Sequence, residues 1–422
     1  MTATDVPGLG DASTPLDLMD PEALRDPFGT YARIRAQAPL VRAAYPWGEP
    51  LWLATRYSDV KAVLTDPRLV NNPRNVPGMD LPHTYEQSLD AGGIPAEYVP
   101  YLVNSILSQD GADHMRLRRL SSRAFTVRRV KALRPRVTEL AGRLLAALPD
   151  RARNGTVDLL EDFSYPLSMS VICEIVGIPE GERDQWHTWG SAFYTMDPSL
   201  LGSAVAGMVD HLHLLIDRRR AAPADDLLTG LLQARDEQGE ALTDEEVATL
   251  VMTFVTAGNE TTAHLIGNGV EALLTHSDQL TLLRSRRELL PRAVDELLRW
   301  CGPVHVTQPR YATEDLDVGG VGVRKGEQVI AVVGAAGHDP EQFSGPERFD
   351  ITRDGAPHEG HVGLGFGPHY CLGAALAHQE TEVALDTLLD RFPGLTLAVP
   401  PSALERQLFP GTWRLKSLPV HL

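Results

Sequence analysis

One segment near the carboxyl end of the chain concentrates residues that could hold a metal. It reads HVGLGFGPHYCLGAALAHQE, and in it Cys371 is flanked by Gly365, Gly367 and Gly373. Glycines remove side chains where backbone comes close to a flat ligand. Cys371 also precedes a predicted helix, whose free N–H groups and dipole favour a thiolate. A single thiolate without a CxxC partner suits haem iron better than zinc, and an inert buried thiol is the alternative for a cysteine taken by itself.

A second group of candidate residues lies in the middle of a long predicted helix. The sequence from LTDEEV to EALLTH keeps a helical pattern, and Thr243 with Glu246 has the spacing of a capping box at its start. A glycine weakens the AGNETT segment, and the hydroxyl of Thr261 can bond the carbonyl oxygen of Ala257, so we expect a local opening. Glu260 supplies an acid beside it, and an acid with an alcohol can relay protons. A Thr-rich helix that only packs on its neighbours is the alternative.

These residues must be positioned by a mostly helical scaffold. Helical patterns fill much of the chain up to residue 300, whereas HVTQPRYATEDLDVGGVGVRKGEQVIAVVG predicts short strands and turns. Residues 70–106 mix Pro, Gly, Asn and aromatics without a sustained period, which is typical of a lid or binding wall. No linker and no repeat divides the sequence. We therefore expect one domain, residues 1–422, that is mainly α with a smaller β region.

The composition excludes several classes of function. The 39 basic and 56 acidic residues leave a formal charge of −17, which argues against nucleic-acid binding. The cysteines Cys173, Cys301 and Cys371 form no CxxC pair and no even set, which argues against disulfides or structural zinc and indicates a reducing compartment. The N-terminus lacks the features of a signal peptide, and no apolar run reaches the roughly 18 residues of a membrane span. We expect a cytoplasmic protein without a membrane anchor.

One stretch reverses the acidic character of the chain. Nine Arg or Lys residues lie between Arg116 and Arg136, and no acid occurs from His114 to Thr138. Such a stretch is either a solvated helix face or a docking surface for an acidic partner.

Taken together, these motifs resemble those of the cytochromes P450. LGFGPHYCLG is similar to the family's haem-ligand loop FGxGxHxCxG, AGNETT to its AGxETT signature, and DELLRW to its ExxR pair. The resemblance continues in the same order over nearly the whole chain, from LWLATRYSDVKAVLTDPRL to the closing SLPV. Two departures stand out. Leu364 occupies the place of a usual Phe, from which we expect changed packing without loss of haem, and Gly337 with His338 replaces a usual Asn-Arg.

The resemblance implies the cytochrome P450 fold, a triangular helical prism around a buried haem b. Cys371 becomes the iron ligand, on a loop in which Gly365 allows close approach to the porphyrin. Glu296 and Arg299 become a buried structural pair, although an isolated pair of this spacing is usually a weak surface salt bridge. Buried propionates need cationic or hydrogen-bonding partners. The residues that match such partners are His114, Arg118, Arg310 and His369.

The implied activity is that of a monooxygenase, which inserts one oxygen atom of O2 into an organic substrate and reduces the other to water. Electron donation from the thiolate favours O–O cleavage, and Glu260 with Thr261 governs proton delivery. No reductase sequence is fused to the chain. Electrons are therefore expected from NAD(P)H through a ferredoxin reductase and a ferredoxin, with the stretch from Arg116 to Arg136 as the ferredoxin dock.

Apolar candidates for the pocket wall indicate a bulky hydrophobic substrate; they are Phe254, Val304, Val306 and Trp413. The overall likeness to bacterial, actinomycete-type members predicts hydroxylation or epoxidation of a polyketide or macrolide-like natural product in antibiotic biosynthesis. Two alternatives stay open, a peroxide-driven peroxygenase and a non-catalytic haem-based ligand sensor. The intact pair of Glu260 and Thr261 favours O2 activation over both.

Overall fold

The computed structural model describes residues 15–44, 49–81, 86, 89, 93–122, 125–195, 198–236, 239–353 and 360–422. Helices dominate the secondary structure of these ranges, as the sequence patterns predict. In chain order they are α1 (Pro21–Arg25), α2 (Pro27–Gln37), α3 (Tyr57–Thr65), α4 (Pro100–Val103), α5 (Gly111–Ser122), α6 (Val127–Arg151), α7 (Tyr165–Val176), α8 (Arg183–Thr195), α9 (Pro198–Ala221), α10 (Leu227–Gln233), α11 (Asp244–Thr275), α12 (Ser277–Ser285), α13 (Leu290–Cys301), α14 (Val333–Ala336) and α15 (Ala374–Arg391).

The strands are short and form a smaller β region. In chain order they are β1 (Leu16–Asp17), β2 (Leu40–Ala44), β3 (Leu51–Ala54), β4 (Leu69–Val70), β5 (Val157–Asp158), β6 (Arg310–Ala312), β7 (Leu316–Val318), β8 (Val321–Val323), β9 (Gln328–Ala331), β10 (Thr396–Leu397) and β11 (Pro419–His421). The strands predicted after residue 305 are therefore confirmed as β6 to β9.

A mixed sheet joins the N-terminal strands to strands between residues 310 and 331. Among the described strands its order is β1-β2-β3-β9-β6-β4, with β3 parallel to β9 and β6 antiparallel to β9. Two smaller sheets have the orders β10-β11-β5 and β7-β8. The register pairs Val70 of β4 with Tyr311 of β6. As a result, the segment that follows β4 begins close to Arg310, one of the predicted site residues.

The long helix α11 forms the centre of the helical body. Its capping box is confirmed, because the N–H of Glu246 donates to Oγ1 of Thr243 at 3.1 Å and the N–H of Thr243 donates to Oε2 of Glu246 at 2.8 Å. At 1.5 Å per residue, its 32 residues span about 48 Å. It packs against α7, α9, α13 and α15, and most of its side chains are buried. The helix that follows Cys371 is therefore in direct contact with the helix that carries Glu260 and Thr261.

One helix of the body is long and apolar enough to cross a membrane. The stretch Ser199–Ala221 of α9 has a mean hydropathy of 1.4 in its most apolar window, which exceeds the sequence-based expectation. However, 56% of that window is buried inside the protein, and α9 packs against α8 and α11. This burial is typical of a core helix.

Candidate functional site

A tight backbone turn holds Cys371 in front of α15. The N–H of Cys371 donates to the carbonyl oxygen of Leu364 at 2.9 Å, and the N–H of Tyr370 donates to that of Gly367 at 3.0 Å. Gly365 has φ +77°, a left-handed conformation that glycine adopts without steric cost. A Cβ on Gly363 would lie 2.5 Å from the carbonyl oxygen of Leu298, so the loop rests directly on α13. The Cys371 loop is thus a rigid, backbone-defined platform.

Opposing effects act on the Cys371 thiol. Burial raises the pKa of the thiol, while the backbone N–H of Gly373 and the positive charge of Arg118 lower the pKa, and burial prevails. Cys371 lies two residues before Gly373, which is the N-cap of α15. The start of α15 therefore lowers the pKa of the Cys371 thiol through one N–H group. This effect is smaller than that of burial, so the helix start by itself does not favour the thiolate. A metal cation bound to such a thiol would favour its deprotonated form.

One strip of α11 lies open although most of the helix is buried. Ala257 is exposed in the middle of this core helix, and Thr253, Thr256, Gly258 and Thr261 are partly exposed. The hydroxyl of Thr261 donates to the carbonyl oxygen of Ala257 at 2.6 Å, as predicted. The helix nevertheless continues without a break through this segment. The strip indicates an open space beside α11, at the place where the sequence predicts a site.

Glu260 lies in a buried polar network next to this strip. It is 3% exposed, and its Oε1 accepts a hydrogen bond from Nη1 of Arg414 at 2.8 Å. Nε2 of His264 lies 3.9 Å from the same oxygen and 2.8 Å from the hydroxyl oxygen of Tyr165. Burial raises the pKa of Glu260 to about 7, although Arg414 lowers it. Sequence reasoning missed Arg414. A carboxylate buried beside a core helix needs a cationic partner, and this requirement was the signal that could have pointed to an arginine.

The four predicted propionate partners come together on one side of the Cys371 loop. The rings of His114 and His369 lie 3.9 Å apart between centroids, and Nη2 of Arg118 donates to the carbonyl oxygen of Tyr370 at 2.7 Å. Burial lowers the pKa of His369 to about 3, and His114, Arg310 and Arg118 lower it further. Burial, together with Arg118 and Arg310, likewise lowers the pKa of His114. Two arginine cations beside two neutral imidazoles suit an anion.

Arg310 supplies a second indication of a missing anion. It is 5% exposed on β6, and within the described part of the chain its Nε has no hydrogen-bond partner. Burial of this guanidinium lowers its pKa, while Asp110 raises it. A buried donor without a partner is costly unless a ligand satisfies it.

The structure adds two residues to this cluster that the sequence did not reveal. Nδ2 of Asn71 lies 2.7 Å from Nε2 of His369. The carboxylate of Asp110 accepts hydrogen bonds from the backbone N–H groups of Asn71 at 2.8 Å and Asn72 at 2.9 Å.

The Glu296–Arg299 pair is buried and structural, as the resemblance implies. Both residues are 4% exposed, and Nε and Nη2 of Arg299 each lie 2.7 Å from a carboxylate oxygen of Glu296. Arg299 also donates to the carbonyl oxygens of Gly337 at 2.6 Å and Pro346 at 2.8 Å. This pair therefore joins α13 to two loops. Within the described ranges, no hydrogen bond or ion pair joins this pair to the predicted cofactor-binding residues.

The neighbouring Asp295 joins both ends of the Cys371 segment to α13. Its Oδ1 lies 3.5 Å from Nε2 of His361 and 3.4 Å from Nε2 of His378. His361 precedes the loop and His378 lies on α15, so one carboxylate contacts the chain on either side of Cys371.

Similarity to known proteins over most of the chain shows the family. The profile of the Cytochrome P450 family matches residues 205–408. Cytochrome P450 monooxygenase PikC of Streptomyces venezuelae is 40% identical over 396 residues, which cover 94% of this chain and 91% of that protein. The chain belongs to the cytochrome P450 family. A second relative, 6-deoxyerythronolide B hydroxylase of Saccharopolyspora erythraea, is 39% identical over 89% of this chain and 90% of that protein.

The cytochrome P450 fold is also evident by direct comparison of structures. The polyketide synthase cytochrome P450 PksS of Bacillus subtilis 168 has a TM-score of 0.85 and 32% identity, and the match covers 96% of this chain and 99% of that chain. The predicted fold class is therefore confirmed, and the chain is a P450 monooxygenase.

The residues of this P450 fit the haem-iron group of its family. The Cys371 thiol would bind the iron, and the unsatisfied Nε of Arg310 with the clustered imidazoles suits two carboxylates. The open strip at Ala257 supplies space beside the central helix. Leu364, which replaces the usual Phe, is partly buried and packs against the main core. His338, the other departure, lies 3.0 Å from both Glu347 Oε2 and the carbonyl oxygen of Trp300.

The predicted pocket-wall residues of this P450 divide into two kinds. Phe254 packs edge-on against Phe125 with ring centroids 5.0 Å apart, and the guanidinium of Arg406 lies 3.8 Å from the ring of Trp413. These two rings already have protein neighbours. Val304, Val306 and Trp413 are partly exposed, whereas Phe254 is buried.

The basic stretch of this P450 is partly neutralised by acids, most of them from distant parts of the chain. Arg116 pairs with Asp236 at 3.3 Å and Glu246 at 2.7 Å, and three further arginines, Arg129, Arg134 and Arg136, also pair with acids. Among the described residues of the stretch, Arg128 and Lys131 are exposed and form no ion pair with an acid. The surface charge is thus smaller than the sequence suggests.

Proposed function

We propose that this P450 hydroxylates or epoxidises a bulky hydrophobic natural product of the polyketide or macrolide type. The proposal rests on one observation: the Cys371 thiol lies next to a cluster around Arg310 and His369 that is suited to bind an anion. The substrate class is supported by two relatives, a 6-deoxyerythronolide B hydroxylase and a polyketide synthase P450. The partly exposed Val304 and Val306 suit an apolar ligand.

Each site residue then has a definite task. Cys371 binds the iron of haem b, and Gly365 lets the backbone of the loop approach the porphyrin. Thiolate-bound haem iron supplies the activation and cleavage of O2. The propionates are bound by His114, Arg118, Arg310 and His369.

Glu260 and Thr261 deliver the protons that the reduction of O2 to water consumes. A carboxyl whose pKa is about 7 can release and regain a proton at neutral pH. Thr261 lies at the open strip of α11, and Glu260 is the adjacent residue in the buried network. The carboxyl of Glu260 therefore holds the proton, and the hydroxyl of Thr261 donates it at the open strip.

Electrons reach the site from NAD(P)H through a ferredoxin reductase and a ferredoxin in the cytoplasm. An acidic ferredoxin would meet the exposed cations Arg128 and Lys131 on α6. The helix before it, α5, carries His114 and Arg118 of the proposed propionate cluster.

A two-stage experiment tests the function. The reduced, haem-loaded protein should give the carbon monoxide spectrum of thiolate ligation, and Cys371→Ser should lose it. Polyketide lactones should then yield oxygenated products with ferredoxin, reductase, NADPH and O2. Products that form equally well with hydrogen peroxide alone would identify a peroxygenase. Binding without any oxidised product would identify a sensor.

A further inference from the structure

We infer that Asn71 is a positioning residue that fixes the tautomer of His369, so that Nδ1 of this imidazole carries the proton offered to a haem propionate. The inference rests on the proposed role of His369 as a propionate partner. Asn71 follows β4 and is 8% exposed. Its amide nitrogen Nδ2 lies 2.7 Å from Nε2 of His369, a normal hydrogen-bond length.

The orientation of the Asn71 amide follows from its second neighbour. Oδ1 of Asp110 lies 3.3 Å from the same Nδ2 and accepts the backbone N–H of Asn71 at 2.8 Å. A carboxylate only accepts hydrogen bonds, so the amide group beside it must be the NH2 group and not the carbonyl.

The tautomer of His369 follows from this orientation. An NH2 group donates, and Nε2 of His369 must therefore accept. A neutral imidazole has one proton for two nitrogens, and with Nε2 as acceptor that proton lies on Nδ1. An anion then meets an N–H donor at Nδ1. In the opposite tautomer it would meet a lone pair, which repels a carboxylate.

Asp110 is the anchor of this arrangement. It also accepts hydrogen bonds from the backbone N–H of Asn72 at 2.9 Å and from Nδ2 of Asn75 at 2.9 Å. Its own carbonyl oxygen accepts the N–H of His114 at 3.2 Å. One residue thus joins the segment after β4 to the first turn of α5, which carries two of the proposed propionate partners. Asn75 shares Asp110 with Asn71 but has no recorded contact with His369, and it provides a matched control.

The test compares Asn71→Leu, Asn75→Leu and His369→Leu with the wild type, all loaded with haem. Resonance Raman spectra report hydrogen bonding to the propionates through their bending band, and transfer of haem to apomyoglobin reports its rate of loss. Asn71→Leu should shift the band in the same direction as His369→Leu and speed haem loss about 3- to 10-fold. Asn75→Leu should do neither.

Two failures can be told apart. If His369→Leu shifts the band and Asn71→Leu behaves like Asn75→Leu, the tautomer inference is wrong although His369 binds the propionate. If His369→Leu leaves the band unchanged, the propionate role itself fails, and the inference with it.

A measurement on the wild type makes the test independent of folding in the variants. Long-range proton–nitrogen NMR spectra of the carbon monoxide-bound ferrous protein distinguish the two tautomers of a histidine. His369 should show a protonated Nδ1, and a protonated Nε2 would overturn the inference.

Discussion

Arg414 and Glu260, separated by 154 residues in the chain, form an ion pair of 2.8 Å in the interior beside α11. Burial favours the neutral form of the carboxyl and Arg414 favours the charged form. The balance leaves the pKa of Glu260 at about 7. Arg414 therefore controls the pH at which the proposed proton donor is loaded.

Replacement of Arg414 should shift the pH dependence of catalysis. In Arg414→Leu only burial acts on Glu260, so the pKa of Glu260 rises and the inflection of product formed per NADPH moves from about pH 7 to higher pH. Glu260→Gln should abolish the inflection. Lys416→Leu breaks an exposed pair with Glu405 in the same segment and should leave the profile unchanged. An identical inflection in all four proteins would exclude Glu260 as its source.

Removal of the Thr261 hydroxyl should uncouple electron use from oxygenation. Thr261→Ala keeps the helix and the haem site, but it loses the group that presents the proton. A positioned proton donor contributes about 100-fold or more to such a step, so NADPH consumption should continue while hydrogen peroxide replaces most of the product. Thr275→Ala removes the same type of hydroxyl-to-carbonyl bond, 2.8 Å long, at the end of α11 and serves as control. Equal coupling in both variants would contradict the role of Thr261.

Glu380 should make the protein less stable as the pH rises from 4.5 to about 8. It is buried on α15, where its Oε1 accepts a hydrogen bond from Ser168 at 2.8 Å, and burial raises its pKa from 4.5 to about 8. Below pH 4.5 the folded and unfolded chains both hold the proton. As the pH rises from there to about 8, the unfolded chain releases the proton first, and the free energy of unfolding falls.

The variant Glu380→Gln cannot ionise and should not show this loss. In denaturant unfolding of the haem-loaded protein, its advantage over the wild type should grow by a few kcal/mol between about pH 5 and about pH 9. Glu382→Gln, which affects a carboxylate paired with Arg134, is the control. A constant difference across this range would mean that Glu380 ionises normally.

The propionate partners, which lie on distant segments, came from the family resemblance, whereas the parts of the site that the residues alone predicted are encoded by neighbouring residues. The Cys371 loop, the capping box of Thr243 and Glu246, and the Thr261 bond to Ala257 each depend on residues within a few positions of one another. Their spacing therefore carries the information.

The parts that sequence reasoning missed depend on contacts between distant segments. Asn71 meets His369 across 298 residues. The pairing of the basic stretch is hidden from the sequence for the same reason, since Arg116 pairs with Glu246 across 130 residues. A charge count along the chain contains no information about such partners.

The exposed remainder of the basic stretch leads to the last prediction. Arg128 and Lys131 are exposed on α6, whereas Arg129 and Arg134 pair with acids. The double variant Arg128→Glu with Lys131→Glu should slow reduction by an acidic ferredoxin about 10-fold at low ionic strength, because steering by charge raises association rates by at least that factor.

This loss should shrink as salt screens the charges, whose interactions fade beyond about 10 Å at 0.1 M. Lys325→Glu makes the same kind of charge change on an exposed residue between β8 and β9, and it should leave the rate unchanged. Stopped-flow reduction at several salt concentrations measures all three proteins. If the double variant and Lys325→Glu are slowed equally, only net charge matters and the stretch is a solvated helix face. A loss confined to the double variant and removed by salt places the ferredoxin on α6, close to the helix that carries His114 and Arg118.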